Sequence, residues 1–307
     1  MSQPDPEDFP TLPTHGQRTL LAVLRRLPQG ALSRAFGRVA DVPLPRPLRR
    51  AVLGAFARGV GADPSEAELP LEEYPTLNRF FTRRLREGAR TWPDDPSVAA
   101  CPVDGVTGQV GTVTGGRAIQ AKGRWYSVGE LLDDPVAGER YEGGAFVTIY
   151  LSPRDYHRIH SPCGGTIPVA RHVPGALLPV NVPAVMHLPD LFVRNERLIT
   201  YVDGPLGRVA AVAVGAYNVG RISAAFDAEW NAPPGRSAWV TNRRGAEAAT
   251  RRYDPPVSIK QGDEIMTFHL GSTVVLLFER GRVALEPGLE AGMAMRLGQA
   301  LGRGEVR

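Results

Sequence analysis

The chain has 307 residues, a formal net charge of +4, 34 glycines, 28 prolines and two cysteines. That length can bury a full core, Cys101 and Cys163 make no disulfide framework, and no apolar run approaches the roughly 18–20 residues that span a bilayer. Nearly all the positive charge is arginine, Lys122 and Lys260 being the only lysines. The acidic, proline-rich residues 1–8 are the wrong chemistry for a signal peptide, so the expectation is a soluble or peripheral protein of a reducing compartment.

Residues 1–17 read as a disordered start. Over 19–26, Leu20, Val23, Leu24 and Leu27 recur at helical spacing with Arg18, Arg25 and Arg26 off that face. Pro43, Pro45 and Pro47 break the chain. A second helix follows, with Leu48, Val52, Phe56 and Val60 on one stripe and Gly59 and Gly61 near its end. A third is capped by Thr76, carries Leu77, Phe80, Phe81 and Leu85, and stops at Gly88. Apolar stripes rimmed by arginine suit helices lying on anionic lipid; they equally suit a helical subdomain packed on the rest of the chain. No clustered readout motif with interleaved aromatics speaks for nucleic acid.

A turn-rich boundary at 92–96 separates this helical region (18–95) from residues 96–307, where short apolar runs alternate with Gly, Pro and Asn. Strands are predicted over 108–113, 145–151, 165–173, 198–202, 209–214 and 273–278, with a short helix at 128–132 and a terminal helix over 289–301. The fold class is α+β: N-terminal amphipathic helices, then a β-rich catalytic domain of short strands.

Three stretches carry chemistry. Pro102-Val103-Asp104-Gly105 reads first as a turn, yet an Asp at a strand end can also orient an imidazole. Tyr156-His157-Arg158-Ile159-His160-Ser161-Pro162 places two of six histidines three residues apart. That spacing is weak as a metal site and favours general acid–base work. Met266-Thr267-Phe268-His269-Leu270-Gly271-Ser272-Thr273-Val274 reads as a buried strand interrupted by one flexible glycine and two hydroxyls. Ser272 Oγ stands beside the carbonyl of the Gly271–Ser272 bond, a geometry that suits an N→O acyl shift; taken alone, the stretch reads first as a Gly bulge before a buried strand whose hydroxyls bond locally. His15, His172, His187 and His269 read as structural.

Together these three stretches resemble the phosphatidylserine decarboxylase family, the pyruvoyl-dependent, membrane-associated prokaryotic type. Also similar are Tyr74 through Arg83, Val173-Pro174-Gly175 through Asn181, Leu191 through Arg197, Val214-Gly215-Ala216, and Gln261-Gly262-Asp263-Glu264. The resemblance runs from about residue 18 to 280, with Met266-Thr267 a departure where such sequences more often carry glycine. It implies that Asp104 polarises His160, that His160 takes the proton of Ser272, and that Ser272 attacks the Gly271 carbonyl. The chain then splits between Gly271 and Ser272 into a β chain (1–271) and an α chain (272–307) that begins with a covalent pyruvoyl group made from Ser272. This group, rather than pyridoxal phosphate or a metal, forms the Schiff base with phosphatidylserine, and His157 donates the proton that completes phosphatidylethanolamine. Further implications are an anionic membrane surface as partner, docking through the arginine-rimmed helices at the cytoplasmic face, and a homodimer. Two competing readings are a lipid-ester serine hydrolase, against which Ser272 lacks a Gly-x-Ser-x-Gly elbow, and a non-enzymatic β-rich membrane-binding or carrier module.

Overall fold

Val274, Val275, Leu276 and Leu277 leave no polar face on the strand Thr273–Leu277, which is buried throughout. Such a strand needs partners on both edges and cover on both faces. It is β13 of an eight-stranded antiparallel sheet, flanked by β9 (Gly207–Val214) and β5 (Ala145–Tyr150), with Thr273 opposite both Val214 and Tyr150. Outward from β9 lie β8 (Arg197–Gly204), β7 (Gly165–Val173) and the edge strand β11 (Ala249–Ile259). Outward from β5 lie β2 (Gly105–Thr112) and β15 (Ala294–Met295). Pro255 and Pro256 fall in the register break of the edge strand β11, where missing N–H donors are tolerated.

A three-stranded sheet of β10 (Ile222–Ala224), β12 (Glu264–Phe268) and β6 (Arg158–His160) stands beside the large one. A second joins β1 (Val98–Ala100), β16 (Ala300–Gly304) and β14 (Val283–Leu285), and β3 (Arg117–Ala121) pairs with β4 (Arg124–Ser127) as a hairpin. The structure, a computed structural model, describes residues 29–121, 123–217, 221–232, 241–243, 245–269 and 272–305. The predicted disordered start, the predicted helix over 19–26, and Gly271 lie outside them.

The chain is β-rich with few helices, as an α+β reading requires. Each predicted strand is present, and the short helix forms as Val128–Leu132 with Ser127 as its cap. Three expectations are corrected. The segment around Ser272 is not one interrupted strand: β12 and β13 belong to different sheets, and residues 269–272 carry the chain from one to the other. The terminal helix over 289–301 is absent. Leu289, Met293, Leu297 and Leu301 imitate helical spacing, but Gly292 and Gly298 adopt positive φ and the segment pairs as β15 and β16. The third helix is only Leu77–Phe81, capped by the Thr76 hydroxyl, and Leu85 instead bridges to Ala67.

At the N-terminal side, α1 (Gln29–Ala40) and α2 (Arg46–Val60) precede α3 (Leu77–Phe81). The buried face of α2 is Leu53, Gly54 and Ala57, not the expected stripe, and it builds a small separate core with Tyr74 and Phe80. Leu48 and Val52 are exposed, as are Leu32, Phe36 and Val39 of α1 and Val42 after it. Among the described residues no helix is long and apolar enough to cross a membrane.

Candidate active site

Ser272 stands where the chain enters β13. Its carbonyl accepts from the Leu151 N–H at 2.8 Å, while its hydroxyl is fully buried and has no hydrogen-bond partner among the described residues. Leaving a hydroxyl unsatisfied in an interior costs roughly 1–3 kcal/mol. Thr273 Oγ1, Thr148 Oγ1 and Thr200 Oγ1 of the same sheet are likewise without a partner among the described residues, so it is the position of Ser272 at the crossing that sets it apart. On the other side of the crossing, Phe268 N–H donates to the His157 carbonyl and His269 N–H to the Arg221 carbonyl, both at 2.9 Å. The backbone is therefore pinned on both flanks of the Gly271–Ser272 bond.

His157 ends the loop that begins at Leu151, so the two ends of that loop bond to the two flanks of the crossing. Its Nδ1–H donates to the Asp155 carbonyl at 2.8 Å, which leaves Nε2 as a lone-pair nitrogen; that atom is buried without a partner among the described residues. The Phe81 ring lies on the imidazole with centroids 4.0 Å apart. Burial above all, with the nearby Arg83 guanidinium adding to it, pushes His157 down to about 3 against the Asp155 hydrogen bond, so it is neutral at pH 7.

His160 takes the same tautomer by another route. Its Nδ1–H donates to the Gly262 carbonyl at 2.6 Å, and its Nε2 accepts from the Tyr156 hydroxyl at 2.9 Å. Burial holds its pKa below the ordinary value, with the Gly262 hydrogen bond opposing. Trp92 covers the ring, centroids 5.7 Å apart. Gly262 must be glycine here, because its φ is +87° and a Cβ would stand 2.7 Å from the Trp92 ring.

Asp104 is next to this histidine through the backbone, since His160 N–H donates to the Pro102 carbonyl at 2.9 Å. Its carboxylate is engaged elsewhere. Arg90 bonds it through Nε at 3.0 Å and through Nη2, and the Leu297 N–H donates to it at 2.8 Å. Among the described residues no hydrogen bond joins Asp104 to His160; the carbonyl of Gly262 orients the imidazole instead. Arg90 also bonds Glu66 twice, at 3.1 and 2.8 Å. Burial works against its charge, but the hydrogen bonds to Asp104 and Glu66 outweigh that and raise its pKa.

The sequence singles out Asp104, His157, His160 and Ser272; it gives no role to Arg90, Trp92, Tyr156 and Gly262, which the structure places against Asp104 and His160. Tyr156 and Gly262 were inside quoted motifs without a role; Arg90 and Trp92 sat in or beside what read as a linker. The remaining described histidines have their own partners: His269 Nε2 meets Arg221 and Ser223, each at 3.0 Å, and His172 Nε2–H donates to Glu196 at 2.8 Å. Burial raises both Cys101 and Cys163 to about 12, so neither thiol is a nucleophile at neutral pH. Among the described residues no group of three or more His, Cys, Asp or Glu could hold a metal ion.

Residues 77–303 match the family model described as phosphatidylserine decarboxylase. The chain is 44% identical over 285 residues to the phosphatidylserine decarboxylase proenzyme of Anaeromyxobacter sp. (strain K), covering 93% of this chain and 98% of that protein. The proenzyme of Myxococcus xanthus is 42% identical over 285 residues, and that of Brevibacillus brevis 39% over 289, each with 93% and 98% coverage.

Proposed function

The chain belongs to the phosphatidylserine decarboxylase family, and from that premise we propose that it is a proenzyme that cuts itself between Gly271 and Ser272 and then decarboxylates phosphatidylserine to phosphatidylethanolamine. The observation that carries the site assignment is the pair of unsatisfied buried atoms, Ser272 Oγ and His157 Nε2, held at the crossing between the two sheets. A group built from Ser272 would be held there by β13 and by the Leu151 N–H.

In maturation, Ser272 Oγ attacks the Gly271 carbonyl and the peptide becomes an ester. His160, whose Nε2 is the basic nitrogen, accepts the serine proton, and Asp104 braces the turn that carries its backbone partner Pro102. Elimination frees the Gly271 carboxylate, water enters, ammonia leaves, and a pyruvoyl group remains at position 272. When present, that ketone condenses with the serine amine of the lipid and draws off the electron pair released as carbon dioxide departs. His157 moves the proton: neutral by burial, its Nε2 would take up a proton that the substrate ammonium gives up on condensation and return that proton to the product carbon.

The exposed Leu32, Phe36 and Val39 of α1, with Val42, Leu48 and Val52, form the face that lies on lipid, with Arg38 and Arg49 among the cations around it. On this reading residues 18–95 dock to an anionic membrane at its cytoplasmic face, residues 96–307 carry catalysis, and family resemblance supports a homodimer.

One observation favours a second division of labour. His157 Nε2 is free, whereas His160 Nε2 is occupied by Tyr156, so His157 is better placed to take the serine proton in the uncut chain. Replacing each histidine by Ala and scoring cleavage and decarboxylation separately tests both. The proposed order predicts an uncut His160→Ala chain and a cut but inactive His157→Ala enzyme; the reverse pattern assigns the roles the other way.

A further inference from the structure

The upstream flank of the crossing carries a cation to which neither maturation nor decarboxylation gives a role. Arg221 stands just before β10 and His269 just after β12. The ladder that pairs Ile222 with Phe268 ends with the His269 N–H on the Arg221 carbonyl at 2.9 Å. The two side chains meet as well: Arg221 Nη2 donates to His269 Nε2 at 3.0 Å, while Nη1 donates to the Ala232 carbonyl at 2.6 Å. Arg221 is thus tied, through its backbone and through its guanidinium, to a residue three positions before Ser272.

This guanidinium is short of negative charge. A guanidinium has five N–H donors, and among the described residues those of Arg221 meet only the Ala232 carbonyl and the His269 nitrogen. No carboxylate among the described residues forms an ion pair with it. Burial works against its charge, Asp41 favours it and Arg79 opposes it. Asp41 is exposed, however, and accepts from Asn78 Nδ2 at 2.7 Å instead of pairing with Arg221. The other cations around His269 are engaged or turned outward: Arg158 is held by both oxygens of Glu264, at 2.7 and 2.6 Å, and Arg79 is exposed.

We infer that Arg221 is the binding site for the carboxylate that self-cleavage frees at Gly271. The inference rests on the self-cleavage proposed above. In the uncut chain residue 271 offers a neutral peptide carbonyl. After cutting it ends in a full negative charge, released next to Ser272, which is wholly buried. An anion set free at such a place needs a cation or water to replace the solvation it lacks. The chain itself limits how far that partner can be. Leu270 alone separates His269 from Gly271, so the Cα atoms of residues 269 and 271 lie within about 7 Å of each other whatever the path between them. The Arg221 guanidinium is one hydrogen bond from the His269 ring. Released from Ser272, the short tether can swing its carboxylate onto the unused N–H groups of the fork, whose geometry suits two parallel bonds to a carboxylate. This pair forms only after cutting, and it anchors the new end of the β chain beside β10.

The test compares Arg221→Gln with its parent in two backgrounds, the self-cleaved protein and the uncut Ser272→Ala chain, with the glycine carbonyls labelled with carbon-13. The cleaved form alone has a glycine carboxylate, at residue 271, and its resonance should move in Arg221→Gln. Both backgrounds lose the hydrogen bonds to Ala232 and His269, but only the cleaved one loses the carboxylate pair. Arg221→Gln should therefore lower Tm by roughly 2–4 °C more in the cleaved protein than in Ser272→Ala. Equal falls in the two backgrounds would make Arg221 a purely structural residue and overturn the pairing, as would an unmoved carboxylate resonance. Equal falls together with a raised KM for phosphatidylserine would overturn it in favour of an anionic group of the substrate. Should Arg221→Gln stay uncut, the resonance is read in Arg221→Lys, which keeps the charge and loses the fork; the pairing predicts a shift there too, and none would overturn it. A wild-type protein with no glycine carboxylate fails the self-cleavage reading by a separate signal, and the pairing with it.

Discussion

Arg90 is the structural support most open to a quantitative test, because two carboxylates depend on it. Its side chain is 7% exposed, and it bonds Asp104 (12%) and Glu66 (26%) at once. Arg90→Met keeps much of the apolar stem and removes the charge, which leaves two half-desolvated carboxylates facing an apolar group. Breaking a buried pair from one side costs about 3–5 kcal/mol. Glu66 can turn toward water, so the lower end applies, about 3 kcal/mol, and for a chain of this size Tm should fall by roughly 6–12 °C. Thermal unfolding of the Ser272→Ala background, which stays as one chain, measures this without interference from cleavage. In the self-processing background, a gel time course should show slower splitting, because the turn bearing Pro102 and Asp104 is no longer braced. The control is Arg46→Met, whose partner Glu73 is exposed and whose loss should cost under about 1 kcal/mol. An Arg90→Met protein within 1 kcal/mol of its parent and cut at the normal rate would refute the bracing role.

Other outcomes are fixed by the geometry. A Cβ at Gly105 would stand 2.4 Å from the Tyr150 carbonyl oxygen, so Gly105→Ala should force β2 from β5, cost about 1–3 kcal/mol and slow cleavage. Gly59 of α2 has nothing within 4 Å of the same position, and Gly59→Ala should stabilise by up to about 1 kcal/mol; denaturant melts of both report the contrast. The buried His157 supplies a pH dependence. Unfolded, an imidazole takes up a proton below its ordinary 6.5, whereas the folded site holds out to about 3. Its contribution is therefore fully present above pH 6.5 and lost as pH falls toward 3, about 2 kcal/mol by pH 5. In the Ser272→Ala background, chemical denaturation at pH 7 and pH 5 should show this loss, reduced by about that amount in His157→Asn; an unchanged pH dependence there contradicts the assignment.

The fold was legible where one element decides its own structure. Gly165–Val173 and Thr273–Leu277 announce themselves by β-branched residues between turn signals, and Thr76 by its capping hydroxyl. It was illegible where long-range pairing overrides local pattern. Residues 289–301 have the leucine spacing of a helix, yet Gly292 and Gly298 turn the chain and β2 and β1 capture it as strands. The exposed Leu48 and Val52 show the same limit: spacing gives an apolar stripe on α2, but only packing reveals that Leu53 and Ala57 face the core. The site divides likewise. Ser272 and the two histidines stand in compact motifs, whereas Arg90 reaches Asp104 from just before the turn-rich boundary and Gly262 reaches His160 from a turn about a hundred residues later. No local pattern encodes such meetings.

The central claim is self-cleavage at one bond, and the intact mass of the purified protein tests it most directly. The account predicts two chains, residues 1–271 and 272–307, the smaller carrying a ketone in place of the serine amine and so blocked to N-terminal sequencing, and a single full-length chain for Ser272→Ala. A wild-type protein that stays one unmodified chain of 307 residues would contradict it.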